Sequence, residues 1–496
     1  MPRRPTIACS CSLAFAISVA VLPVGAAATE PEADGAERLT RLDAIRRGVE
    51  KNLSLVAQRL DLRRTQLLSR AAWQPYSPSL VIDAEYSKAQ ADAPGLGREH
   101  VLGYGVGVSM KTPVGTSLNA SLALDQGLGG GGTAAGGANG TATEGKVSLG
   151  LTQPLLKGGW LAGAALPLRE AELLSRIQRE LFRDELNRLI ASVEAAYWDL
   201  AVAEADLAIK TRSRDRAKQQ FEDTAENIRR GILAPGEIYV VEENVVFFEQ
   251  ELVRADQTLR LARHRLAAML RLPADTLLGA RDALEGSEVD LPQRAQAIDT
   301  GLRESPTVAA QTLRCELSNA RLENASNLSL PSLDLSASLS LNGSDEAYAE
   351  AWRKVFAEPQ LEGRVGLVFG VPLDRAAVRA GVDGAALEAQ RNQTQLENAQ
   401  VEVRFDVDDN LSELQSSVRL LGLSQKSVEL AELKLQAETD KYKLGLATLA
   451  DLVRFQRDLD NALIGLQRLH RAVRTGRSRL LQSQGTLHQS VGVEVR

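Results

Sequence analysis

The stretch Ala44-Ile45-Arg46-Arg47-Gly48 returns later in the chain as Ala297-Ile298-Asp299-Thr300-Gly301. The same spacing of 253 residues (45 to 298, 78 to 331) separates Pro78-Ser79-Leu80 from Pro331-Ser332-Leu333, and no gap is needed between the two matches. Two copies of one pattern within 496 residues predict an internal tandem repeat. Each copy combines long helices with short alternating strands. That combination is rare in soluble enzymes and typical of a helical tube joined to a membrane β-barrel.

Two further matches extend the repeat. Asn52 aligns with Ser305-Pro306 at a predicted helix start, and Gly231-Ile232-Leu233 is matched by Gly445-Leu446-Ala447. Glycine ends a helix readily because it accepts left-handed backbone angles. A new apolar seam follows each glycine, so each copy is predicted to contain a helical hairpin whose tip lies at the end opposite the strands.

The composition favours long helices over one compact core. Aromatic residues make up only 4% of the chain, and the net charge is −6 without a basic block. These values argue against nucleic acid as a partner.

The N-terminus predicts a secretory signal peptide over residues 1–28. Arg3 and Arg4 precede an apolar run from Leu13 to Val21, and Ala26-Ala27-Ala28 offers a cleavage site. Cleavage removes two positive charges and leaves a mature net charge near −6 − 2 = −8. Cys315 is then the one remaining cysteine, which predicts an exported chain without an internal disulfide and a small buried thiol.

Residues 332–341 show the clearest strand pattern, because Leu or Ala alternates with Ser or Asp throughout. Similar alternation occurs once more in the second copy and four times in the first, over the segments 364–371, 80–86, 104–110, 118–124 and 147–151. With their flanking residues, these runs approach the length of about ten residues that a tilted transmembrane strand needs. We therefore expect about four membrane strands from the first copy, with two as the alternative, and about two from the second, with outer loops at 127–140 and 342–362. Open strand edges are not tolerated in lipid, so closure of a barrel requires several chains.

Three aromatic residues just outside strand ends, Trp73, Tyr76 and Trp160, lie where an interfacial belt is expected. The alternative to a barrel is a soluble β-sandwich with one wet face. The helices around these strands are too long for sandwich connections.

Two segments without internal helix breakers, 161–230 and 376–444, predict helices on the order of 100 Å long. The helices that follow the two glycines carry apolar residues in alternating steps of four and three, the spacing of a coiled coil. These seam positions are Val241, Val245, Phe248, Leu252, Ala255, Leu259, Ala262, Leu266 and Met269 in the first copy, and Leu452, Phe455, Leu459, Ala462, Leu466 and Leu469 in the second.

The order of these elements resembles the TolC family of outer-membrane efflux and secretion channels. The resemblance covers nearly the whole mature chain and includes both Pro-Ser-Leu motifs, residues 153–156 and residues 195–200. Its strongest point is the run from Tyr442 to Leu452. It implies a mainly α-helical fold with transmembrane β: a long antiparallel coiled-coil barrel plus a trimeric outer-membrane β-barrel.

The resemblance also implies a function and partners. Members are homotrimers in the outer membrane of Gram-negative bacteria, with a large periplasmic tunnel that meets a periplasmic adaptor protein and an inner-membrane pump. The residues that would dock the adaptor are Gly231, Ile232, Leu233, Gly445, Leu446 and Ala447. The chain would be a passive conduit, with energy supplied by the pump.

The resemblance places a periplasmic aperture at the second tip, formed by Glu237, Tyr442, Asp451 and Arg454. Asp451 matches the first acidic position that lines the family aperture, whereas Arg454 stands where a second acidic residue is expected. A basic side chain there would weaken cation selectivity. The alternative role for Asp451 is that it only caps its helix.

No pattern predicts an enzyme or a cofactor. The four histidines share no metal-ligand spacing, and no nucleophile elbow, phosphate loop or zinc-protease motif occurs in context. The alternatives to a tripartite efflux channel are the outer component of a type I protein secretion system and a non-conducting periplasmic spacer.

The predicted organisation starts with the signal peptide. It continues with an entry helix (29–77), membrane strands (78–156), a periplasmic hairpin (157–271), a linker (272–300), a second entry helix (301–330), second strands (331–373) and a second hairpin with the C-terminal tail (374–496).

Overall fold

The computed structural model describes residues 37–90, 98–127, 143–159, 163–284 and 291–493. The predicted signal peptide, Trp160 and residues 128–140 of the predicted first outer loop lie outside the described residues.

The described chain consists of ten α-helices and eight strands. The helices are α1 Arg41–Lys51, α2 Leu53–Ala71, α3 Leu166–Arg229, α4 Glu237–Leu270, α5 Arg294–Glu304, α6 Pro306–Leu328, α7 Tyr348–Ala357, α8 Arg375–Lys443, α9 Leu449–Ser483 and α10 Leu487–Ser490. The strands are β1 Glu37–Leu39, β2 Ser79–Gln90, β3 Arg98–Lys111, β4 Ser117–Gly127, β5 Thr143–Pro154, β6 Leu278–Ala280, β7 Ser332–Asp345 and β8 Gln360–Gly370.

The entry segment of each copy is a pair of helices that meet at a shared cap. Asn52 ends α1 and begins α2, where its side chain accepts hydrogen bonds from the backbone N–H groups of Ser54 and Leu55. Ser305 likewise ends α5 and begins α6, but its side chain makes no capping hydrogen bond, and Pro306 is the first helical residue. Because α5 begins at Arg294, it includes the end of the predicted linker.

The duplication extends to individual contacts between the entry helices and the long helices. An added Cβ on Gly48 would lie 3.0 Å from Val193 Cγ2, and one on Gly301 would lie 2.9 Å from Val407 Cγ2. Val193 and Val407 are 214 residues apart, as are Gly231 and Gly445. Both glycines therefore allow an entry helix to lie close against a long helix.

Two ion pairs are repeated with the same offset. Arg41 pairs with Glu194 at 3.1 Å, and in the second copy Arg294 pairs with Asp408 at 2.5 Å. The other two equivalent pairs are Arg265–Asp199 and Arg479–Glu413. Corresponding partners (194 and 408, 199 and 413, 265 and 479) are each separated by 214 residues.

The long helices α3 and α8 contain 64 and 69 residues and extend about 100 Å each. Helix α4 packs back along α3, and α9 packs back along α8. All the predicted seam residues of α4 and α9 are buried or half-buried, so the coiled-coil prediction is confirmed. Helix α9 also contacts α3, which joins the two copies.

The six long strands form one antiparallel sheet in the order β2-β3-β4-β5-β7-β8. Four strands come from the first copy and two from the second, as predicted. The predicted outer loop at 342–362 is different: β7 continues to Asp345, β8 starts at Gln360, and the connection contains helix α7. This segment is helical because its apolar residues recur at helical spacing, a signal that the loop prediction missed.

A small parallel sheet of β1 and β6 was also missed. It lies against the main hydrophobic core, which is built on α1, α2, α3 and α4. Tyr197 of α3 is fully buried there; its hydroxyl donates to Asp282 Oδ2 at 2.9 Å and accepts from the Asp282 N–H at 3.0 Å. A three-residue strand is too short to produce a recognisable alternation.

Within the described ranges, none of the helices is both long enough and apolar enough to cross a membrane.

Candidate functional site: the apolar sheet face and the hairpin tips

One face of the six-stranded sheet is a continuous apolar surface. Strand register places one side chain from each strand in a row, and two successive rows run Leu80–Val108–Ala120–Leu149–Leu339–Gly363 and Ile82–Val106–Leu122–Val147–Leu341–Leu361. Ile82 and Val365 on this face are 73% and 78% exposed. None of the described residues covers most of these side chains, which indicates that their favourable surroundings come from outside this part of the chain.

The opposite face of the same strands is polar. Ser121 and Ser148 form a cross-strand hydrogen bond at 2.6 Å, and the adjacent row contains Asp83 and Lys146. A sheet with one apolar and one polar face suits a boundary between lipid and water.

The predicted aromatic pair lies where α2 leads into β2. Trp73 and Tyr76 are in edge-to-face contact with ring centroids 6.1 Å apart, and Trp73 is exposed. The Tyr76 hydroxyl donates to the Ala164 carbonyl at 2.5 Å, which joins this turn to the segment that enters α3. Their role at a membrane interface stays a prediction.

The two hairpin tips have the same backbone conformation. Gly231 and Gly445 have φ values of +75° and +72°, and α3 and α8 end immediately before these turns. In each tip the N–H of the following residue bonds back to the helix, from Ile232 to the Asn227 carbonyl and from Leu446 to the Lys441 carbonyl. This is the Schellman arrangement, which favours glycine because of its positive φ.

The tip side chains are apolar and open to solvent. Ile232 and Leu446 are 66% and 75% exposed, and Leu233 and Ala447 are half-buried. An added Cβ on either glycine would meet no atom within 4 Å. The two tips therefore present small and apolar groups without a partner in the described chain.

The structure brings Tyr442 and Glu237 together across the two tips. Burial and then the Glu237 carboxylate raise the pKa of the Tyr442 hydroxyl above its ordinary value. Both residues were predicted for the aperture, and their proximity places the end of α8 beside the start of α4.

Asp451 lies in the first turn of α9, where it forms a capping arrangement with Thr448. The Thr448 side chain accepts from the Asp451 N–H at 3.2 Å and donates to Asp451 Oδ2 at 2.5 Å. Arg454 is exposed, and the ion pairs among the described residues do not join it to Asp451. Among the described residues, therefore, no direct contact with Asp451 supports the predicted weakening of cation selectivity by Arg454.

Other polar contacts near the tips were not predicted from the sequence. Asp460 of α9 is 1% exposed, and its Oδ1 accepts from Arg216 Nη2 of α3 at 2.8 Å. Arg457 donates to Asn244 Oδ1 at 3.0 Å and lies over the Phe247 ring at 4.1 Å from its centroid. These contacts tie α9 of the second copy to α3 and α4 of the first. The only sequence signal was a charged residue beside a seam position, which also fits a solvated helix face.

The described part of the chain contains no group of three or more His, Cys, Asp or Glu side chains able to hold a metal ion. Cys315 is buried, and its Sγ donates to the Asn392 carbonyl at 3.2 Å.

The sequence and the fold are similar to those of known proteins. The family model of outer membrane efflux proteins matches residues 297–486. Nodulation protein T of Rhizobium leguminosarum bv. trifolii is 25% identical over 292 residues, which are 57% of this chain and 59% of that protein. Outer membrane protein TolC of Escherichia coli (strain K12) is 24% identical over 342 residues, 66% of each chain. The chain thus aligns with about two thirds or less of the length of these curated relatives.

A solved structure, the outer-membrane channel OprN, shares the fold with a TM-score of 0.65, at 16% sequence identity and with 90% of both chains covered. The two sequence relatives and the shared fold agree with the resemblance to the TolC family predicted from the sequence, and residues 297–486 belong to the family of outer membrane efflux proteins.

Proposed function

We propose that this protein is the outer-membrane channel of a tripartite efflux system. It would conduct substrates from an inner-membrane pump and a periplasmic adaptor to the outside of a Gram-negative bacterium. The observation that carries this proposal is the combination, in one duplicated chain, of a sheet with an exposed apolar face and two helices about 100 Å long, each packed against a shorter antiparallel helix. A non-conducting spacer would need the helices but not the apolar sheet.

Assembly into a homotrimer is part of the proposal. Strands β2 and β8 are the two edges of the sheet and have unpaired backbone groups, which lipid does not tolerate. Helix α8 also exposes a row of leucines in its C-terminal half, at positions 420, 423, 430 and 433. Both features are explained if neighbouring copies pair their strand edges and pack their long helices.

The adaptor would bind at the hairpin tips. The six predicted residues around Gly231 and Gly445 form small, apolar surfaces that leave no side-chain bulk in the way of a partner. Because both tips have the same backbone turn, one adaptor motif would fit both.

Planar-bilayer recording of the purified, detergent-extracted protein tests the channel, with the mass of the particle measured in parallel. We expect discrete conductance steps from a particle of three chains. A monodisperse protein that shows no conductance would contradict the channel function and would favour a non-conducting periplasmic spacer.

The tips are tested by Ile232→Glu and Leu446→Glu, each of which adds a charge to an exposed apolar site. We expect loss of dye export from cells while the trimer and its bilayer conductance are retained. Gln425→Glu is the matched control, because it adds one negative charge at an exposed position of α8 away from the tip. Normal export by both tip variants would exclude these residues from the adaptor interface.

A further inference from the structure

Helix α7, in the connection between β7 and β8, lies on the apolar face of the sheet. Its residues Ala351 and Val355 are 0% exposed, one helical turn apart. They contact Gly145 of β5 and Gly343 of β7, which are directly opposite each other in the strand register. In the same row, Gly145 is paired with Leu124, so this is the face that carries Val147 and Leu341.

Gly145 and Gly343 form the part of the sheet against which α7 packs, and we call this pair the glycine seat. An added Cβ on Gly343 would lie 2.5 Å from the Val355 nitrogen and 2.7 Å from the Ala351 carbonyl oxygen, and one on Gly145 would lie 3.1 Å from Val355 Cγ2. The contact on Gly343 is with backbone, which cannot rotate away. Any larger residue at Gly343 must therefore displace α7.

An aromatic stripe occupies the adjacent side of α7. Tyr348, Trp352 and Phe356 recur every four residues, and the rings of Trp352 and Phe356 are stacked with centroids 6.2 Å apart. Tyr348 and Phe356 are 59% and 68% exposed. The stripe thus continues the exposed apolar surface of the sheet at the β7–β8 turn.

The charges around the stripe are already paired. Arg353 pairs with Glu350 at 2.6 Å, and Lys354 pairs with Asp345 at 2.6 Å. Between residues 345 and 358 there are four acidic and two basic residues, a net charge of 2 − 4 = −2. This segment has no free cationic surface for an anionic partner.

We propose that the aromatic stripe of α7 inserts into the outer leaflet at the boundary between headgroups and acyl chains, and that it binds lipid by apolar contact and not by charge. The proposal rests on the proposed function, because it requires the sheet to span a membrane. Its occupant is lipid because the stripe is continuous with the apolar sheet face, and because Trp and Tyr favour that depth of a bilayer.

Nitroxide labels on single cysteines test this in vesicles of zwitterionic phosphatidylcholine, in the mature chain with Cys315→Ser. The labels are placed at Phe356→Cys in the stripe, at Ala357→Cys on an exposed side of α7 turned away from the stripe, and at Val365→Cys on the sheet. We expect collisions with oxygen to be severalfold more frequent, relative to collisions with a water-soluble nickel chelate, at position 356 than at 357. The same ratio is expected in vesicles that contain anionic lipid.

The label at Val365 tests the proposed channel function separately from the α7 proposal. A lipid-exposed 365 with a water-exposed 356 would overturn the α7 proposal and leave the channel intact. A water-exposed 365 would overturn the proposed function. Strong spin–spin broadening at 356 would show a second protein copy on the stripe and would also overturn the proposal.

A second pair of variants tests the seat without altering the stripe. Gly343→Ala should shift the 356 label toward water, while the 365 label stays in lipid. Gly363→Ala is the matched control in the same sheet, because its Cβ would meet only Leu339 Cδ1 at 4.0 Å. If Gly343→Ala left the label at 356 unchanged in lipid, the glycine seat would not position the stripe.

Discussion

Asp460 shows how a single residue acquires its role from the rest of the fold. Its carboxylate is buried on α9, and its partner Arg216 belongs to the other copy of the repeat. The second oxygen, Oδ2, is buried without a hydrogen-bond partner among the described residues. A buried carboxylate needs its pairing cation, so this contact holds α9 against α3.

Removal of that cation should loosen the hairpins. We predict that Arg216→Ala lowers the free energy of unfolding by about 1.5–3 kcal/mol, because a hydrogen bond to a buried charge is lost. Thermal unfolding followed by circular dichroism measures this. Arg260→Ala breaks a pair on the surface of α4 and should cost about 0–1 kcal/mol. Equal costs for the two variants would contradict the assigned role of Asp460.

Asp451 has two candidate roles, which different substitutions separate. Asp451→Asn removes the charge but keeps an oxygen that Thr448 can donate to, whereas Asp451→Ala removes both. If Asp451 lines the aperture, both variants should reduce cation selectivity and block by multivalent cations in bilayer recordings. If neither variant changes ion selectivity and only Asp451→Ala lowers stability, Asp451 acts only as a helix cap.

At the scale of elements, the docking of the entry helices depends on the repeated glycines. We predict that Gly48→Ala and Gly301→Ala each cost about 1–3 kcal/mol of stability, because the added methyl group overlaps a buried valine. Gly422→Ala in α8 meets no atom within 4 Å and should stabilise the helix by about 0.5–1 kcal/mol. Unfolding of the three variants in urea compares them. A destabilising Gly422→Ala would show that general helix effects, not overlap, dominate.

The docking of the C-terminal tail onto α3 should depend on pH. His488 is buried with its Nδ1 3.0 Å from Asn187 Oδ1, and burial and then the nearby Arg183 lower its pKa, with Glu304 acting in the opposite direction. Since the unfolded chain takes up a proton below about pH 6.5 and the folded chain does so only at lower pH, this contribution is complete above pH 6.5. It is lost progressively as the pH falls toward the lowered pKa.

The measurement is the difference in unfolding free energy between the natural chain and His488→Gln. We expect the natural chain to lose more stability than the variant between pH 7.5 and 5. If the unfolding free energies of the two proteins fell equally with pH, the pKa of His488 would be the same in the folded and unfolded chains.

At the scale of the whole molecule, the sheet of one chain has two open edges and does not close into a barrel. Its sheet contributes six strands, and three copies would close a barrel of 3 × 6 = 18 strands. Barrels of about 16 to 18 strands are wide enough to enclose a water-filled channel. The family assignment, the unpaired edges and the uncovered apolar face all point to the assembly as the functional unit.

Cysteine cross-linking tests how the edges close. We predict that Ile82→Cys on β2 forms a disulfide with one of Leu361→Cys, Val365→Cys or Phe369→Cys on β8 of another chain, and that the product migrates as a covalent multimer. These positions share the apolar face and differ in register. Leu122→Cys on the central strand β4 is the control and should give no multimer. A multimer from the control alone would place the chain contacts elsewhere.

The sequence by itself determined the features that repeat along the chain at a fixed period. The alternation at 332–341 indicated β7, the seam from Val241 to Met269 indicated the packed face of α4, and the spacing of 253 residues indicated the duplication. These signals are local: each depends on how a helix or strand divides its own side chains between two faces. They were sufficient for the fold class and for the resemblance to the TolC family.

Only the tertiary structure decided which distant residues meet. The pairing of Arg216 with Asp460, the position of α7 on Gly145 and Gly343, and the small sheet of β1 and β6 join segments far apart in sequence. No periodicity records such contacts, because a charged or glycine position looks the same whether its partner is water or a distant helix. The physical reason is that burial, and with it the strength of each polar contact, is set by the packing of whole elements.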